Sequence, residues 1–174
     1  ISVGSPRSID QLDLLVSLAD GHLALINAQT GEHTSLLARE RTPVYTTILA
    51  VDIEGDARDE LVYAMENGDF VVSSYREGQM QGRLDTLWSF DTRNRPVGDP
   101  ILVTDSQGNP NQGLIFLATE KTLYALRPTS RSASDWYQIE GSTTAFGEIN
   151  APLSILPRDT GYSLVAFSSN NQVG

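Results

Sequence analysis

Asp56-Ala57-Arg58-Asp59-Glu60-Leu61-Val62-Tyr63-Ala64-Met65-Glu66-Asn67-Gly68 is the stretch from which the fold is read. A polar turn leads into a short apolar run, and Asn67-Gly68 ends it. Asn-Gly supplies the positive φ angles that a tight hairpin needs. Phe70 to Tyr75 then reads as a returning strand, because Val, Tyr and Phe favour the pleated backbone.

The same grammar recurs along the chain. Asp10 to Gly21 repeats it around Leu15, Asn109 to Lys121 around Leu114, and Ser163 to Asn171 more weakly around Leu164. Aligned on Leu15, Leu61, Leu114 and Leu164, the copies are 46, 53 and 50 residues apart. The expected two-residue turns are Asp20-Gly21, Asn67-Gly68, Glu120-Lys121 and Asn170-Asn171. Returning strands follow at Leu23 to Asn27 and Leu123 to Arg127. Leading strands precede the runs at Thr47 to Val51, Ile101 to Thr104 and Leu153 to Leu156. Closing strands carry Trp88 and Trp136. No segment holds a sustained 3.6-residue period with caps, so helix is not expected.

Four antiparallel strands in a repeat of roughly 50 residues describe a blade of a β-propeller. The fold expected is all-β: a β-propeller segment of about three to four such blades, part of a larger propeller. The blades fall near 1–40, 44–92, 97–140 and 149–174, the last incomplete, with residues 1 to 8 as the candidate innermost strand of the first. A β-sandwich is the alternative architecture. The blade count falls short of the 4–8 of closed rings, so the remainder of a longer chain is an expected partner.

Composition bounds the function. The 174 residues are 40% hydrophobic and 20% charged, as in ordinary globular chains. Twelve Lys and Arg against 22 Asp and Glu give a net charge of −10. Nucleic acid, which needs a basic face, is not an expected partner. No apolar run is long enough for a membrane span, so membrane insertion is not expected. Cysteine is absent, which removes thiolate catalysis and Cys-based zinc sites.

The segment richest in chemistry is Asp52-Ile53-Glu54-Gly55-Asp56-Ala57-Arg58-Asp59-Glu60. Alternate residues of a tight loop converge, so Asp52, Glu54 and Asp56 are candidate ligands of one cation. The Arg58 carbonyl and the Glu60 carboxylate would complete an oxygen shell of the kind Ca²⁺ takes. Asp59 would face away or bind a nearby backbone N–H. A solvated acidic turn is the other reading. The matching loop, Asp105 to Gly113, carries mostly neutral oxygens and is expected to hold its turn by local hydrogen bonds.

Asp52 to Tyr63 resembles the calcium loop of FG-GAP or VCBS propeller repeats, whose pattern is D-x-[DN]-x-D-G-x-x-[DE] before an apolar strand. The resemblance implies Asp52, Glu54, Asp56 and Glu60 as side-chain ligands. Glu54 and Ala57 depart from it, where Asp or Asn and Gly are usual. Asp59 to Ala64, Leu87 to Asp91, Arg95-Pro96-Val97 and Phe116 to Leu123 are similar to the C-terminal propeller of the type IV pilus tip adhesin and assembly family. That likeness implies an extracellular or periplasmic, calcium-dependent module in adhesion or pilus assembly. Gly21 to Glu32 resembles quinoprotein-like repeats, which also occur in non-enzymatic scaffolds such as outer-membrane assembly lipoproteins and luminal stress sensors.

Catalysis is not expected. His22 and His33 lie near a turn and its following strand without an evident nucleophile. Asp59 and Glu60 point to opposite faces and do not form a glycosidase pair. The expected function is a non-enzymatic interaction scaffold with protein partners on a propeller face or its loops. The alternative is a fragment of a propeller enzyme, a dehydrogenase or a polysaccharide lyase.

Overall fold

The computed structural model describes residues 1–37, 42–77, 82–105, 107–108, 113–127, 136–138, 148–159, 161–167 and 169. It is all-β, with fourteen strands and no helix among the described residues. Chain order is also sheet order. The first sheet is β1 (Ser2–Ser8), β2 (Gln11–Ser17), β3 (His22–Asn27) and β4 (His33–Leu37). The second is β5 (Leu49–Val51), β6 (Glu60–Ala64), β7 (Asp69–Arg76) and β8 (Arg83–Asp91). The third is β9 (Ile101–Val103), β10 (Leu114–Ala118), β11 (Leu123–Leu126) and β12 (Trp136–Gln138). The fourth is the pair β13 (Ser154–Arg158) and β14 (Gly161–Val165). Every pairing is antiparallel between sequence neighbours. Four antiparallel sheets thus follow one another along the chain, three of four strands and one of two.

Residues 1 to 8 do supply the missing strand of the first sheet. The fourth-copy turn at Asn170-Asn171 lies outside the described residues.

Two hairpins differ from the two-residue turns expected. Leu18 donates its N–H to the His22 carbonyl at 2.8 Å, and Met65 to that of Asp69 at 2.7 Å. Each loop therefore has three residues. Gly21 and Gly68 have φ of 84° and 95°, while Asp20 and Asn67 keep negative φ. That is a type I turn closed by one left-handed glycine, not a turn with two left-handed residues. The third sheet keeps the short form, with Thr119 donating to Thr122 at 2.8 Å across Glu120-Lys121.

Counting back from these turn-opening residues corrects the alignment of the repeats. Leu18, Met65 and Thr119 are equivalent, so Leu14, Leu61 and Ile115 are equivalent as well. Leu164 joins them through the parallel role of Asn150, whose N–H binds the Phe167 carbonyl as Tyr45 binds Ala64 and Val97 binds Ala118. Leu15 and Leu114 are one place out of step. In a strand, one place is the opposite face.

With that register, the packing is the same at each step. Leu15, Leu23 and Leu25 of the first sheet meet Leu61, Tyr63, Met65 and Val71 of the second. Val62, Phe70 and Val72 on the other face of the second meet Ile115, Leu117 and Leu126 of the third. Ala118 and Leu123 of the third meet Ile149, Leu153 and Leu164 beyond it. The second sheet is thus covered on both sides, and every residue of β6 is buried. A sheet covered on both faces reads as a continuous apolar run without alternation, which is what Leu61-Val62-Tyr63-Ala64 shows. Burying one such side chain contributes about 1.5–3 kcal/mol. Trp88 packs at the second interface, its ring centroid 5.8 Å from that of Phe70.

The leading strands also approach closely. A Cβ built on Gly4 would lie 2.3 Å from Ala50 Cβ, so β1 and β5 meet only because Gly4 lacks a side chain. The connectors between sheets bridge back onto the hairpins, Val44 opposite Met65 and Pro96 opposite Thr119. No described helix is long and apolar enough to cross a membrane.

Candidate functional site

The acidic loop joins β5 to β6. Its anchor is Ile53, buried in the core between the second and third sheets. From that anchor the chain turns through Gly55 and Ala57, at φ of 74° and 67°. Ala57 thus occupies the left-handed region that the resemblance reserves for glycine. The strain costs about 1–2 kcal/mol, and Asp52 holds it in place. One Asp52 oxygen accepts the N–H of Gly55 at 2.6 Å and of Asp56 at 3.1 Å. The other accepts the N–H of Ala57 at 3.0 Å. Asp56 in turn accepts the N–H of Arg58 at 3.0 Å.

Glu60 lies under this turn and is 2% exposed. One of its oxygens accepts the N–H of Ile53 at 2.7 Å and of Glu54 at 3.0 Å. Burial pushes its carboxyl above the ordinary 4.5. The two amides oppose that rise, and the negative charges of Glu54 and Asp56 add to it.

Asp59 points away from Glu60 and reaches the neighbouring sheet. Its carboxylate accepts the N–H of Ser5 at 2.6 Å, and its own N–H donates to the Ser5 carbonyl at 3.2 Å. The first and second sheets are clipped together here by a ring of two hydrogen bonds. A second cross-sheet bond joins Asp99 to the N–H of Thr47, at 2.6 Å.

The predicted ligands are therefore neighbours along one loop, with Asp52, Asp56 and Glu60 turned toward amides. Among the described residues, no three His, Asp or Glu side chains form a group that could hold a metal ion. In the matching loop Asp105 accepts the N–H of Gln107 at 2.9 Å. Ser106 and residues 109–112 lie outside the described residues.

Sequence reading missed Asp13. It is fully buried and is forked by Arg7, whose Nε donates at 2.9 Å and whose terminal nitrogen donates to the other oxygen. Gln11 adds a bond at 3.2 Å. The Asp13 hydrogen bond holds the Arg7 guanidinium above its ordinary value. Asp13 is the structural counterpart of Glu60, a recurrence hidden by the one-residue slip.

His22 opens β3, with Nδ1 3.1 Å from the exposed Asp20 carboxylate. The His22 backbone N–H is the main cause that lowers the Asp20 carboxyl. His33 pairs with Ile26 one strand away. An apolar cleft of about 300 Å³ between the third and fourth sheets is lined by Val103, Thr104, Gly113, Leu114, Phe116, Ile155, Tyr162 and Leu164. No histidine, carboxylate or basic side chain lines it.

No protein-family model matches the chain, and no curated protein matches it.

Proposed function

We propose that this chain is a segment of a β-propeller and serves as a non-enzymatic protein-interaction scaffold. The observation that carries the reading is the serial stacking of antiparallel meanders, the second of which presents one face to the sheet before it and one to the sheet after. Such units reach solvent through turns and loops, so partners are met there and not in a pocket. The acidic loop supports the same reading. Its carboxylates tie backbone amides and tie one sheet to the next, which is structural work. Calcium would draw on the same carboxylates that these amides engage. The likeness to pilus adhesin propellers supports a setting in adhesion or assembly outside the cytoplasm.

The test is electron microscopy of the natural full-length polypeptide with photo-crosslinkers at Asp20, Asn67 and Lys121, and separately at Arg58. The scaffold reading expects blades around an axis, and one protein partner captured repeatedly from one rim. Sheets without radial order, or turnover of a quinone-dependent or polysaccharide substrate, would overturn it.

A further inference from the structure

Among the described residues the first sheet has one face without a neighbouring sheet, and the repeat shows what covers the equivalent faces of the second and third. Leu14, Val16 and Leu18 are the counterparts of Leu61, Tyr63 and Met65. The latter three are 0% exposed, because the first sheet lies on them. Ile115 and Leu117 are equally buried against the second sheet, and Thr119 is 0% exposed. Yet Leu14 is 36% and Leu18 37% exposed. Val3, paired with Leu14 in the sheet, is 50% exposed, and Ile26 completes the row on β3. Position for position, the first sheet carries apolar side chains where the others carry a buried interface.

We propose that this face is a docking surface for one further four-stranded antiparallel sheet of the same repeat, belonging to the same natural polypeptide. Its occupant presents Leu or β-branched side chains at the positions of Leu15, Leu23 and Leu25. Two observations choose the same polypeptide over a second copy. All three interfaces seen join sheets consecutive in one chain, and linkage raises the effective concentration into the millimolar range. A net charge of −10 opposes pairing of two copies. The inference needs sheet-on-sheet stacking and not closure into a ring, so it stands or falls apart from the propeller reading.

The absence of cysteine gives a clean test. Leu14→Cys, Ile26→Cys and the exposed control Ala28→Cys are made singly in the natural full-length polypeptide. Thiol-alkylation rates are then measured without denaturant and in urea, across a hundredfold range of protein concentration. The expected result is alkylation of at least one of Leu14→Cys and Ile26→Cys roughly 100-fold slower than Ala28→Cys, since a covered thiol reacts only through opening. That protection should be lost in urea and be independent of concentration. Equal rates at all three positions would overturn the proposal. Protection that disappears on dilution would also overturn it, by making a second copy the occupant. Melting curves of each variant confirm that the labelled protein is folded.

Discussion

Replacing Glu60 separates the two roles that its carboxylate could have. Its one engaged oxygen accepts two N–H groups, from Ile53 at 2.7 Å and Glu54 at 3.0 Å, at a site 2% exposed. Glu60→Ala leaves both donors without that acceptor. Each bond to a charged acceptor contributes about 1.5–3 kcal/mol, and water entering the space recovers part. The net loss expected is about 2–4 kcal/mol. For a chain of this length that corresponds to a melting temperature lower by about 4–16 °C. Glu60→Gln keeps an oxygen at the same place and removes the buried charge. Its stability at pH 7 should lie within about 1 kcal/mol of the parent.

The pH dependence follows from the direction of the shift. The folded carboxyl is raised above its ordinary 4.5, so the protonated form favours the folded chain. The contribution from this group is complete below about 4.5 and is lost as pH rises through the folded pKa. Parent minus Glu60→Gln stability should therefore fall across that window and then level off. Urea melts followed by circular dichroism between pH 4 and pH 8 measure it. If Glu60→Gln is as damaging as Glu60→Ala, or the difference rises with pH, the ionised carboxylate itself is required. The amide-capping account of the loop would then be wrong.

Three further outcomes follow from the same loop and its clip. Asp59→Ala should cost about 1.5–3 kcal/mol by removing the acceptor of the Ser5 N–H, and Asp59→Asn should recover a large part; urea melts read both. Ala57→Gly should raise stability by about 1 kcal/mol, because glycine takes φ of 67° without strain, and a fall would show that the left-handed turn is absent. Calcium at millimolar level should move the melting temperature by less than about 1 °C, since the Asp52 and Asp56 carboxylates are already turned to the amides of their own loop. Ten micromolar affinity at 1 mM calcium would instead add about 2.7 kcal/mol and a rise of several degrees.

Local chemistry made the repeat legible. Asp20-Gly21 and Asn67-Gly68 punctuate apolar runs, and β-rich runs between turns can only be hairpins, so the all-β meander was readable from residues alone. Which face each residue uses was not. Leu61-Val62-Tyr63-Ala64 is apolar at every place, so sliding the alignment by one leaves the pattern intact and reverses every side chain. Only the pairing of strands and the hydrogen bond that opens each turn set that register. The partners of the carboxylates were hidden likewise. Asp59 meets Ser5 and Asp99 meets Thr47 because sheets far apart in sequence lie against one another. Spacing within the acidic loop suggested convergence on a cation; the loop amides that the same carboxylates accept became visible only in the folded turn. Period and turn chemistry are properties of a short stretch of chain; face, neighbour and the fate of a buried charge belong to the stacked sheets.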